Sequence, residues 1–146
     1  MHRILVCVDP AEPSDALLAC ARRLCEPDGE LVILHVGAPD PDFVGYGIGP
    51  ESVRQAVARE LRSEHRQVQE MAKELAADGL SVTPLMVQGP VVEKILEHAA
   101  RLASDFIVLY SKRRGALRDL IVGSVARGVV KGTVVPVVLV PMEQSM

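Results

Sequence analysis

Gly123 and Ser124 are the residues of this chain best suited to hold an anion. They open an apolar helical pattern after a strand-to-helix loop, so a bare backbone N–H and a hydroxyl can face a negative charge at the positive end of a helix. A main chain that wraps phosphates calls for glycines upstream, yet the segment from Tyr110 carries Lys112, Arg113, Arg114 and Arg118. Two physical outcomes follow. Either these side chains grip phosphates through charge-assisted hydrogen bonds in place of amide contacts, or the cationic cluster is a solvated rim, or faces an acidic partner, and a phosphate ligand is not held tightly.

Other reactive side chains are sparse. Asp9 stands at the end of the first strand pattern, where a polar group can meet a ligand or cap the turn before Pro10. His35 lies inside an apolar strand and reads as a satisfied interior histidine, while His65 and His98 fall on polar helix faces. Charges such as Glu60 and Glu64 read as solvated helix surface. Cys7, Cys20 and Cys25 are odd in number and sit in apolar patterns without paired metal-ligand spacing, so they read as small core residues, and no metal site is expected. No nucleophile-base arrangement emerges, neither a G-x-S-x-G elbow nor an H-E-x-x-H helix. No catalytic residue is therefore assigned, and the chain is not expected to be an efficient enzyme.

These groups need a scaffold. Apolar runs at Ile4–Val8, Leu31–Val36, Val82–Val87, Phe106–Leu109 and Val137–Val140 are nearly continuous, as in strands covered on both faces. Between them, Leu17, Cys20, Ala21 and Leu24 recur at helical spacing, as do Val57, Leu61, Val68, Met71, Ala72 and Leu75. Pro90 suits a helix first turn ahead of Val91, Val92, Ile95, Leu96, Ala99 and Leu102. A fourth helix starts at Gly123-Ser124 and ends near Gly132. The order β-α-β-α-β-α-β-α-β with right-handed crossovers predicts an α/β fold, an open doubly wound five-stranded parallel sheet with four helices, Rossmann-like. Ligands in such sheets sit beyond the carboxyl ends of the strands, where the winding reverses. Residues 37–50, rich in Gly and Pro, read as a flap over that crevice.

Composition agrees. At 146 residues, residues 1–146 read as a single domain; 49% hydrophobic content excludes disorder, and 3% aromatics requires an aliphatic core. A net charge of −3 gives no pull toward nucleic acid. Met1-His2-Arg3 runs straight into the first strand, with neither a signal-peptide pattern nor a membrane span, so a cytoplasmic protein is expected.

With its segments placed, the chain resembles the universal stress protein family over nearly its whole length. The matching features are Ile4–Asp9 followed by Pro10–Ser14, Leu31–Val36, Val87–Pro90 ahead of Ile95 and Ala99, Ser104–Leu109, and Gly123–Val125 ahead of Val135–Val140. The resemblance implies an adenine nucleotide alpha hydrolase-like fold and an adenine nucleotide site. In the nucleotide-binding branch the motif is Gly-x2-Gly-x9-Gly-Ser/Thr, whose glycines admit the triphosphate to the main chain. Counted back from Gly123, the other glycine positions hold Tyr110 and Arg113. Side chains there obstruct the backbone approach. By the same resemblance Asp9 contacts the nucleoside, Val36 lines the adenine site through its backbone, and Lys112, Arg113, Gly123, Ser124 and Val125 complete the nucleotide-binding set.

The implied function is a cytoplasmic, homodimeric stress-response module acting through an unidentified regulatory protein partner, with weak or absent ATP binding. The alternative is an ATP-binding relative with slow hydrolysis or autophosphorylation at Ser124, its phosphates held by the basic loop and Gly123-Ser124. Dimerisation is expected through Val135–Val140, a terminal apolar strand whose open edge needs covering. Two folds of the same architecture are excluded by residues. A phosphoacceptor receiver needs an acidic pair after strand one and a Lys after strand five, where this chain has Asp9 alone and Pro141-Met142; a flavodoxin needs a hydroxyl-rich loop where Pro10–Pro13 stands.

Overall fold

The computed structural model describes residues 2–37, 51–111 and 123–141. Its elements are β1 (Arg3–Cys7), α1 (Asp15–Leu24), β2 (Glu30–Gly37), α2 (Glu51–Ala77), β3 (Ser81–Gln88), α3 (Val91–Arg101), β4 (Phe106–Ser111), α4 (Ser124–Gly132) and β5 (Val137–Pro141). All strands are parallel, in the order β3-β2-β1-β4-β5, so the doubly wound sheet stands as the alternation predicts. The winding proceeds outward from β1 to β3, then crosses back to β4. The reversal therefore lies between β1 and β4, and their carboxyl ends open the crevice.

Each face of the sheet has its own apolar layer. Alternate residues of a strand point to opposite faces, so Ile4 and Val6 join Leu31, Ile33 and Val108 beneath α1 and α2, where Leu17, Ala21, Val68 and Ala72 meet them. Leu5 joins Val32, Leu34 and Ile107 on the other face, against Ile95 and Ala99 of α3 and Ala126 and Val129 of α4. Covering on both faces accounts for the near-absence of polar residues in β1, β2 and β4.

Helix ends refine the sequence expectations. Pro90 is the N-cap of α3 and lies outside the first turn; its backbone is extended (φ −63°, ψ 126°), and the helix starts at Val91. Gly123 takes the N-cap of α4 and Ser124 the first helical position. The segment read as a flap falls, from residue 38 to 50, outside the described residues. Cys7, Cys20 and Cys25 are free thiols and only partly buried, packed at the margins of the two layers instead of inside them.

α3 and α4 approach closely because α4 presents glycine. A methyl group on Gly128 would lie 2.8 Å from Val92 Cγ2, and one on Gly132 would lie 2.7 Å from Leu96 Cδ1. Alanine at Gly128 gains about 1 kcal/mol of helix propensity, against about 1–3 kcal/mol for overpacking a stiff β-branched neighbour. Gly128→Ala is therefore expected to lower stability by about 1 kcal/mol in urea unfolding. Adding Val92→Ala should recover much of that overpacking cost, whereas independent sites would simply add their losses.

Candidate functional site

A cleft of ≈ 210 Å³ opens at the carboxyl ends of β1, β2 and β4, where the winding reverses. Asp9, Glu12, Val36, Val91, Tyr110 and Val125 line it above a floor that includes Cys7 and Leu34. It is smaller than the roughly 300–1,000 Å³ of pockets that enclose whole drug-sized ligands, a size that suits part of a nucleotide better than all of one.

Asp9 follows β1 as the chain turns toward α1. Its Oδ1 accepts the Ala11 N–H at 3.0 Å, and its carbonyl accepts the Glu12 N–H at 2.9 Å. The turn role and the cleft role coexist, since the exposed carboxylate still borders the opening. Glu12, which the sequence reading passed over, is brought beside it by this turn. The only linear signal was its position three residues after the strand-end acid.

Tyr110 ties the cleft lining to α1. It ends β4 next to Ser111, packs against the layer beneath α1, and its phenol oxygen accepts the Leu17 N–H at 3.3 Å. Leu17 belongs to the first turn of α1, whose N–H groups have no intrahelical partner. The N-cap residue Ser14 makes no side-chain capping bond, so Tyr110 supplies from across the sheet what a local cap would normally supply. The side chain in the first glycine position of the motif is thus fixed at both ends, by β4 and by α1. Sequence spacing located the substitution but gave no sign of this anchor.

His35 sits beneath the cleft, 7% exposed, as the interior histidine its strand predicts. Nδ1 lies 3.1 Å from the Val8 carbonyl and Nε2 lies 3.1 Å from Glu64 Oε2. Since a carbonyl only accepts, Nδ1 carries a proton. The expectation that Glu64 is solvated is corrected here: α2 turns this carboxylate inward onto β2, tying both to the exit of β1. Glu64→Ala strips a buried ring nitrogen of its partner and is expected to cost about 1–3 kcal/mol in urea unfolding. Glu60→Ala, on the exposed face, should change stability by less than about 0.5 kcal/mol.

Cys7 also lines the cleft; although its residue surface is only partly covered, desolvation of the sulfur pushes its thiol up to about 12, which disfavours a thiolate nucleophile. Gly123 is half-buried with φ −61° and ψ 163°, a conformation open to any residue, so what glycine contributes there is a bare surface. Ser124 is exposed in the first turn of α4, and Val125, 37% exposed, reaches the cleft. Lys112 and Arg113 lie outside the described residues. Asp9, Val36 and Val125 therefore meet in one cleft with Tyr110, and Gly123-Ser124 begins the helix that carries Val125 to it. Among the described residues no group of His, Cys, Asp or Glu is arranged to hold a metal ion, and no helix is long and apolar enough to cross a membrane.

A sequence model of the universal stress protein family matches residues 1–141. The universal stress protein YxiE of Bacillus subtilis (strain 168) is 30% identical over 145 residues, covering 95% of this chain and 98% of the relative. Among solved structures, the hypothetical protein MJ0577 superposes with a TM-score of 0.76 at 24% identity, covering 99% of this chain and 98% of the other. A universal stress protein family protein from Arabidopsis thaliana, solved with AMP bound, gives a TM-score of 0.69 at 15% identity, covering 98% and 93%.

Proposed function

The chain belongs to the universal stress protein family, and from that premise we propose that it is a homodimeric, non-catalytic stress-response module whose cleft takes an adenine nucleotide by its base and ribose but gives a triphosphate little purchase. The supporting observation is Tyr110. Where the motif calls for glycine stands Tyr110, a residue of the cleft lining whose phenol is hydrogen-bonded to α1. Asp9 and Val36 border the opening at the positions assigned to nucleoside and adenine, and the solved Arabidopsis relative carries AMP. Ser124 and the free amides of the first turn of α4 would face the first phosphate. Lys112 and Arg113 are proposed to meet outer phosphates only as solvated side chains.

Titrating the protein with AMP and with ATP in the presence of magnesium tests this reading. Ligand at a hundred times its dissociation constant adds about 2.7 kcal/mol to the native state, a shift of roughly 5–10 °C for a chain of this size. Comparable affinities for AMP and ATP are expected. A tenfold preference for ATP would show that the outer phosphates are held after all.

The dimer is proposed to form along β5, one edge of the sheet. Its own side chains are poor places to test this, because Val138 packs into the layer beneath α1 and Leu139 into the opposite one. Among the described residues, the exposed apolar side chains that shortly precede β5 in the chain are Val130, 49% exposed, and Val134, 100% exposed. Glutamate at both positions is expected to yield monomer by light scattering with little change in melting temperature. An unchanged dimer would move the interface elsewhere.

A further inference from the structure

We infer that the groove between α2 and the free edge of β3 is a docking surface for an extended acidic segment of a partner protein. Among the described residues β3 is the outermost strand on its side of the sheet, and one row of its main-chain groups has no partner strand there. Which residues form that row can be read from two observations. The Gly89 N–H donates toward the Gly37 carbonyl of β2 at 3.4 Å, which turns the odd-numbered set inward. Pro84, which has no N–H, belongs to the even-numbered set, as expected of a proline confined to a strand edge with its nitrogen outward. Met86 and Gln88 continue that outward set beyond the proline. Their N–H and C=O groups can accept an added strand over the last half of β3.

The groove at that place has a volume of ≈ 630 Å³, with apolar surface from Leu61 and Met86 and polar surface from Arg62, His65, Arg66 and Gln69. Its charge is one-sided. Among the described residues no carboxylate lines it and none pairs with Arg62, His65 or Arg66. Of the acids on this stretch of α2, Glu64 is committed to His35, and Glu70, four residues after Arg66, makes no ion pair with it. Two arginines four residues apart on a helix repel each other unless an anion lies between them, and this cationic stretch stands out on a chain whose net charge is −3.

Spacing then selects the occupant. Four residues of α-helix rise about 6 Å, and two residues of extended chain rise about 6.6 Å. Carboxylates at alternate positions of one added strand therefore match Arg62 and Arg66, while the residues between them face the sheet edge. An acidic peptide with Glu or Asp at every second position satisfies the main-chain row and the charges together. A compact anion would use the charges alone.

The test is fluorescence anisotropy with a labelled seven-residue peptide alternating Val and Glu, beside the same peptide with Lys in place of Glu. The glutamate peptide is expected to bind and the lysine peptide to fail. Arg62→Glu with Arg66→Glu should weaken the first by tenfold or more and admit the second. Met86→Pro removes one outward N–H while leaving every charge in place, and should also weaken the glutamate peptide severalfold. Should that variant not fold, N-methylation of alternate peptide amides removes the same bonds from the other side. The proposal is overturned by no binding at millimolar peptide, by equal binding of both peptides, or by binding that survives the arginine reversals, the edge proline and N-methylation. It is overturned too if an oligouridylate of equal charge binds tighter than the glutamate peptide, or if the arginine reversals dissociate a dimer of the protein itself, which would assign the face to a second copy.

Discussion

Changing Tyr110 and Arg113 together to glycine is expected to tighten ATP binding by at least about tenfold, or about 1.4 kcal/mol, while leaving AMP nearly unchanged. The asymmetry follows from what is removed. On the proposed reading both substitutions return glycine to the motif and leave Asp9 and Val36 in place, so gain should appear only for the ligand that has outer phosphates. The same change carries a structural cost. Tyr110 packs against the layer beneath α1 and caps Leu17, so its loss should lower stability by about 1 kcal/mol for the cap, with a further loss for the vacated volume. Isothermal titration at a temperature where both forms are native separates the two effects. Tyr110→Phe serves as the control: it keeps the bulk and removes the hydroxyl, and is expected to lose the cap without gaining ATP affinity.

The largest loss of stability is expected at the centre of the sheet. Leu5 is fully buried in β1, facing each neighbour strand through Val32 of β2 and Ile107 of β4. Leu5→Ala removes methyl groups from a layer closed by α3 and α4, and should cost about 2–5 kcal/mol. A domain with about 5–15 kcal/mol in hand can lose much of its margin to that single change. Lys73→Ala, at an exposed position of α2, should cost less than about 0.5 kcal/mol. Urea unfolding monitored by circular dichroism distinguishes them, and a small effect at Leu5 would contradict the packing described for that face.

How much of this was legible in sequence depends on the range of the interactions involved. Strand runs and helical spacings are local, so the five strands and the four helices could be read from order and hydrophobicity, whereas the reversal between β1 and β4 came only with the strand order. The motif count is also local, and it located Tyr110 and Arg113 in the glycine positions. What the spacing did not carry were contacts between elements distant in the chain. Glu64 looked like one more surface charge until the fold brought α2 over β2 and placed it on His35. Glu12 gained meaning only when the Asp9 turn folded it toward the cleft. Val138 and Leu139 looked like a free apolar edge, yet alternation along β5 commits them to opposite layers and leaves Val130 and Val134 outside. The Tyr110 hydroxyl is the sharpest case, because its partner is 93 residues away and belongs to a helix whose own N-cap side chain does not cap it.

The central proposal is steric: Tyr110, its phenol held by α1, stands in the first glycine position, where the motif would give a triphosphate unencumbered main chain. A crystal structure of the unaltered protein grown with ATP and magnesium tests it most directly. The account predicts that any bound nucleotide is ordered at its base and ribose beside Asp9 and Val36, with no triphosphate laid along Tyr110. An ordered triphosphate against the Tyr110 main chain, with the Leu17 hydrogen bond intact, would contradict it.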